Sequence, residues 1–200
     1  MTNSIDFYFD FSSPYGYLAS TRIDALGAKF QRHVRWHPIL LGAIFKVSGG
    51  APLTTIPLKG EYSIHDMARS ARLHEVPFKL PSKFPVPTQH AARLTLWAGQ
   101  ADDAQGKQIA AALYRAYFAD DRDISNPEIC ADIAAESGFD RATAVAGMND
   151  DTVKEALRLK VERAIAHKVF GSPFVIVDGE PFWGADRLDQ VERWLITGGW

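Results

Sequence analysis

The stretch from Ile5 to Ala19, IDFYFDFSSPYGYLA, constrains the fold of this chain more than any other. Ile5, Phe7, Phe9 and Phe11 alternate with Asp6, Tyr8 and Asp10, the period-two pattern of a pleated strand rich in aromatic and branched residues. Ser12 and Ser13 then offer a capping hydroxyl, and Pro14 suits a first helical position. Tyr15, Leu18, Ala19, Ile23 and Leu26 follow at helical spacing, interrupted by Arg22. A Ser-Pro pair therefore stands where a first strand, Ile5 to Phe11, runs into a helix. The free N–H groups of such a helix start attract an anion. Taken alone, Ser13 reads as a helix cap.

The rest of the chain divides by pattern. A second strand is expected over His33 to Ile39, with Val34, Trp36 and Pro38 on one face, then a short helix from Leu40 to Val47, broken by Ser48-Gly49-Gly50-Ala51-Pro52. From Gly60 to Lys168 the strand pattern disappears. Helices are expected over Glu61 to Glu75, Gln89 to Ala101, Ala104 to Phe118, Asn126 to Ser137 and Asp151 to Lys168. Pro77, Pro81, Pro85 and Pro87 hold an extended loop between the first two of these. Ser125 and Glu128 have capping-box spacing, and Gly138 and Gly171 lie where helix ends favour a left-handed residue. Strand character returns at Phe174 to Val177. Asp178-Gly179 is a tight-turn signal, Pro181-Phe182-Trp183 the returning strand, and Asp186 to Thr197 a closing helix. The terminal segments should form one sheet with the helical block inserted between them, an α/β thioredoxin-like domain (1–45 and 169–200) with a large all-helical insertion (46–168).

Composition narrows the chemistry. A net charge of -2 over 200 residues builds no positive field for nucleic acid or an acidic membrane. No apolar run approaches a membrane span and the first residues show no secretory pattern, so a cytoplasmic location is expected. Cys130 is the one cysteine, so internal disulfides and CxxC pairs are excluded, and its apolar neighbours mark a small core residue. The six histidines form neither HExxH nor a Cys/His cluster, and they read as packing or surface groups with no metal site.

Three pieces carry a resemblance: FDFSSPYGYLA at Phe9 to Ala19, KVFGSPFVIVDGEPFWGADRL at Lys168 to Leu188, and the helical block between them. Together they resemble the disulfide-oxidoreductase-like superfamily, and most closely the 2-hydroxychromene-2-carboxylate isomerases, the glutathione-dependent branch that includes kappa-class glutathione transferases. Where disulfide-forming relatives carry CxxC, this chain has Ser13-Pro14-Tyr15-Gly16, which cannot run thiol–disulfide exchange. The resemblance implies that Ser13 is the catalytic residue and serves the thiolate of bound glutathione. It implies that Ser172-Pro173 is a cis bond whose backbone pairs with glutathione. Trp183, Gly184, Ala185 and Asp186 would complete that site, with Asp186 meeting the γ-glutamyl ammonium. Lys46, Lys59, Phe84 and Arg187 are candidates for contact with a small aromatic carboxylate substrate, Phe84 standing where naphthalene-pathway relatives carry a tyrosine. A homodimer is expected. The alternatives are a kappa-like transferase that leaves glutathione on an electrophile, and a non-catalytic thioredoxin-fold binding protein.

Overall fold

The computed structural model describes residues 4–200. A sheet of four strands runs in the order β2-β1-β3-β4. Strand β1, Ser4–Phe9, pairs in parallel with β2, His33–Pro38, so that Phe7 lies opposite Trp36. It pairs antiparallel with β3, Phe174–Val177, which turns back into β4, Glu180–Trp183. Asp178 and Gly179 both take positive φ, 53° and 89°, as the tight hairpin requires. The crossover between β1 and β2 is helical, α1 over Pro14–Ser20 and α2 over Ile23–Lys29. Between β2 and β3 the described residues hold only helical and irregular structure: α3 Leu41–Ser48, α4 Lys59–Leu73, α5 Gln89–Ala98, α6 Asp103–Phe118, α7 Pro127–Glu136, α8 Arg141–Asn149 and α9 Asp151–Ala166. The closing helix is α10, Leu188–Thr197. The position chosen to divide the two expected domains, 45/46, falls inside α3.

One face of the sheet carries Phe7 and Phe9, which stack at 5.3 Å and meet Trp36 edge-on. Phe11 and Tyr114 continue the cluster, their rings 4.8 Å apart, and Tyr114 brings α6 of the helical block onto the end of β1. The alternate residues serve the other face. Arg35 donates twice to Asp6, at 2.8 and 2.7 Å, and His37 lies 2.7 Å from the same carboxylate. Burial would raise the Asp6 carboxyl, but these hydrogen bonds outweigh it and hold it at about 2. His37 also stacks on Tyr8 and lies 3.2 Å from the Lys160 ammonium of α9, so it is part of a charged network as well as a packing group.

Several boundaries depart from the sequence pattern. The first strand ends at Phe9 rather than Phe11, because Asp10 turns inward and its carboxylate takes the Ser12 N–H at 2.8 Å. The helix after Ser13 is not continuous to Leu26. Ser20 and Thr21 return their hydroxyls to the carbonyls of Tyr17 and Leu18 and the chain breaks there. Helix α4 spans Lys59–Leu73 and helix α5 stops at Ala98. Helix α9 ends at Ala166, where Lys168, at φ 59°, takes the left-handed position expected of Gly171. Gly138, at φ 91°, does take it. Helix α7 is capped by Asn126, not Ser125, whose hydroxyl turns to Asp123 instead. Helix α8 was not visible as a separate element. Asp140 caps it through the Thr143 N–H, and Gly147 packs under Trp97. The closing helix starts at Leu188 because a 3₁₀ turn, Ala185–Arg187, precedes it. Cys130 is buried, its thiol donates to the Ile124 carbonyl, and burial pushes it up to about 12.

Asp10 is the buried polar hinge of this arrangement, only 2% exposed. Its carboxylate accepts from the Ser12 N–H, from the Leu41 N–H at the head of α3 at 2.6 Å, and from the Thr88 hydroxyl before α5 at 2.8 Å. Burial raises the carboxyl above its ordinary value of 3.8, and these donors pull it back without cancelling the effect. Asp10→Ala strands two buried donors, the Leu41 N–H and the Thr88 hydroxyl, at roughly 1–3 kcal/mol each, so urea unfolding should show at least about 2 kcal/mol of lost stability. The folded state holds the Asp10 proton more tightly than the unfolded chain. Its contribution is therefore most favourable below 3.8 and declines as pH rises through the raised folded value. The stability of the parent relative to Asp10→Asn should fall across that window, and a pH-independent difference would contradict the assignment.

Candidate functional site

Ser13 caps α1 from extended backbone, and its Oγ accepts the Gly16 N–H at 3.0 Å. The same hydroxyl donates to the Ser172 carbonyl at 2.7 Å, so its one proton is committed to the loop before β3. Ser172-Pro173 is cis. Phe84-Pro85 is also cis, which the sequence reading did not anticipate. The Ser172 hydroxyl accepts the Asp10 N–H at 3.0 Å, and the buried Tyr114 hydroxyl donates to the Asp10 carbonyl at 2.9 Å. Burial, then the Asp10 charge, raises Tyr114 well above its ordinary value, so it stays a donor. Gly16 is where α1 meets this knot. A Cβ there would lie 2.5 Å from the Tyr114 oxygen and 2.8 Å from the Ser172 oxygen.

Ser13 and Ser172 open onto a cavity of about 350 Å³ between α1, α3, the 3₁₀ turn at Leu53–Thr55, and the loops of Phe84 and Phe170. Its apolar wall includes Leu41, Phe45, Ile56, Met67 and Phe84. Among the described residues its polar side-chain groups are hydroxyls and the Trp183 indole N–H. Trp183 and Phe170 stand at this wall, 54% and 44% exposed, in edge-to-face contact at 4.9 Å. Gly171 lets them close in, because a Cβ would meet the Trp183 ring nitrogen at 2.2 Å.

The expected site residues sort clearly. Ser13, Ser172, Trp183 and Phe84 line the cavity together. Pro173 is buried behind Ser172, and its carbonyl accepts the Gly184 N–H at 3.1 Å, which ties the cis-proline loop to the Gly184-Ala185-Asp186 turn. Ala185 is buried, while Asp186 is exposed and lies 3.7 Å from Arg187. Lys46, Lys59 and Arg187 are exposed and stand outside the cavity wall. Asp10, Thr88 and Tyr114 are the supports the sequence reading missed. Asp10 looked like an outward strand position, and its partners lie 31 and 78 residues along the chain.

Residues 4–195 match the model of the DsbA-like thioredoxin domain. The chain belongs to the DsbA-like thioredoxin family. It is 30% identical to the 2-hydroxychromene-2-carboxylate isomerase of Sphingobium xenophagum over 200 residues, 98% of this chain and 100% of that one. It is 24% identical to glutathione S-transferase kappa 1 of Rattus norvegicus, across 96% of this chain and 91% of that one. The selenomethionine structure of a 2-hydroxychromene-2-carboxylate isomerase superposes with a TM-score of 0.85 at 26% identity, across 94% of this chain and 92% of that one. These relatives place the chain in the isomerase branch of the family.

If the close approach at Gly16 is what seats α1 on the knot, Gly16→Ala should overpack it. A loss of about 1–3 kcal/mol is expected by chemical denaturation, against near-neutrality for Gly42→Ala, where a Cβ meets open space.

Proposed function

We propose that this protein is a glutathione-dependent isomerase that converts 2-hydroxychromene-2-carboxylate, or a related aromatic-catabolic acid, to trans-o-hydroxybenzylidenepyruvate. The observation that carries the reading is the Ser13 hydroxyl at the start of α1, hydrogen-bonded to the carbonyl of the residue before a cis-proline. The position carries no thiol of its own, so a thiol used there has to be borrowed. The residues present fit glutathione: a loop carbonyl at Ser172, a helix start at Ser13 and an exposed carboxylate at Asp186 beside Arg187. Bound glutathione would supply the thiolate that adds to the substrate double bond and leaves after rotation.

The chain's own part is to make and hold that thiolate. An amide N–H of a bound peptide that pairs with the Ser172 carbonyl displaces the Ser13 proton from it. The released hydroxyl then turns to the sulfur, while the Gly16 N–H keeps the oxygen in place. The helix start contributes roughly 0.3–1 kcal/mol towards a nearby anion, up to ~2 when partly buried. The hydroxyl adds ~1.5–3 kcal/mol. At ~1.4 kcal/mol per pKa unit, the two move a thiol from ~8.5 to roughly 6.5. The apolar wall at Phe45, Ile56 and Phe84 receives the aromatic ring. Lys46 follows Phe45 in sequence and Lys59 lies three residues after Ile56, so both remain candidates at the rim for the substrate acid, with Arg187 beside Asp186.

The kappa-class relative supports a second reading, a transferase that leaves glutathione on an electrophile. Parallel assays with chromene acid and chlorodinitrobenzene separate the two. Under the isomerase reading glutathione is not consumed. Ser13→Ala should lower turnover roughly ten- to a hundredfold and move the pH optimum upward. A variant with the parent's rate and pH profile would return Ser13 to a capping role. Asp186→Ala should weaken glutathione binding by more than ~1 kcal/mol in calorimetry.

A further inference from the structure

Among the described residues the cavity wall carries one phenol, Tyr15, two positions after Ser13 on α1. Its hydroxyl donates to Asp66 Oδ2 of α4 at 2.7 Å. Asp66 is held from the other side by Arg69, one helical turn on, and Arg69 also donates to the Tyr62 hydroxyl at 3.0 Å. The carboxylate therefore keeps a charged partner while it accepts the phenol's hydrogen bond. Burial works to raise the Asp66 carboxyl, but the Tyr15 and Arg69 hydrogen bonds outweigh it and hold it below its ordinary value. Burial, then the Asp66 bond, pushes Tyr15 far up, so the phenol stays protonated at any working pH.

A phenol has one proton to give. With that proton donated to Asp66 in a hydrogen bond, what Tyr15 still offers a ligand in the cavity is the lone pairs of its oxygen. The neighbouring Ser13 hydroxyl is the donor of the pair once its Ser172 bond is displaced. We propose that Tyr15, oriented by Asp66, is the cavity's acceptor for a hydroxyl on an aromatic substrate and selects ring-hydroxylated molecules over their ethers. The ligand O–H would point to the Tyr15 oxygen and the Tyr15 O–H to the carboxylate. Every proton in this chain then leans towards the Asp66 charge, the arrangement in which hydrogen bonds polarise one another. Asp66 is a positioning residue, acting through Tyr15. Turnover of the selected molecule rests on the function proposed above, whereas its binding does not.

The test is equilibrium binding of trans-2-hydroxycinnamate and trans-2-methoxycinnamate to the full chain with glutathione present. One hydrogen bond corresponds to a preference of about tenfold for the hydroxyl compound. Tyr15→Phe should weaken the hydroxyl compound alone and bring the ratio to about one. Asp66→Asn keeps the phenol and removes the charge that aligns its proton, so it should retain about threefold. It also carries the test if Tyr15→Phe does not fold. The Tyr15–Asp66 bond ties α1 to α4 as well, and loss of that tie alone would weaken both ligands by the same factor. Equal weakening, an unchanged ratio, or a parent without the preference overturns the proposal. A parent that shows the preference but does not isomerise chromene acid overturns the proposed reaction and leaves the Tyr15 subsite standing.

Discussion

The site hangs on a buried carboxylate. Asp10 ends the central strand inside the protein, where an ion cannot stay without partners. The partners it finds are the head of α3, the turn into α1 and the threonine before α5. Its main chain is held as tightly, with the N–H on Ser172 and the carbonyl under Tyr114. Four segments remote in sequence, and the adjacent turn at Ser12, are thus tied to one residue. The cis-proline loop and the start of α1 are held side by side as a consequence. Ser13 meets Ser172 because both are attached to the same hinge.

That geometry also sets the Ser13 hydroxyl apart from an ordinary helix cap. Most serines at a helix start spend their lone pairs on the helix and leave their proton to water. Ser13 is 5% exposed, and its proton goes to a loop carbonyl, the atom through which an extended peptide would dock. Under the proposed function docking and activation would be coupled, because a ligand N–H that competes for this carbonyl would free the Ser13 proton. The cavity beyond is mostly apolar, so an anion bound at Ser13 would sit in a poorly screened place. Hydrogen bonds to a charge count for more there than at the surface.

Much of this was legible in the sequence because it is local. The alternation of Phe7 and Phe9, the Ser-Pro start of α1, and the Asp-Gly hairpin each encode their geometry within a few residues. The Ser172-Pro173 bond was legible through its motif. The supports were not. Nothing near Asp10 distinguishes an inward carboxylate from the outward Asp6, which shares its strand pattern and lies in the charged network of the opposite face. Tyr114 sits in a helix whose stripe reads as ordinary core, and its hydroxyl partner is 104 residues away. The break at Thr21 reflects hydroxyls competing with the helix, a balance too fine for periodicity. The start of the closing helix was misplaced for a related reason, because a 3₁₀ turn and an α-helix share the same polar start.

The central claim is that the Ser13 hydroxyl donates a hydrogen bond to a borrowed thiolate whose proton has gone to solvent, and it is tested most directly on the thiol itself. Thiolate absorbance of protein-bound glutathione, titrated against pH in the parent and in Ser13→Ala, reads that ionisation without any turnover. The account predicts a midpoint near ~6.5 in the parent and a return most of the way towards ~8.5 in the variant, where the helix start alone remains. Matching midpoints in the two proteins would contradict it.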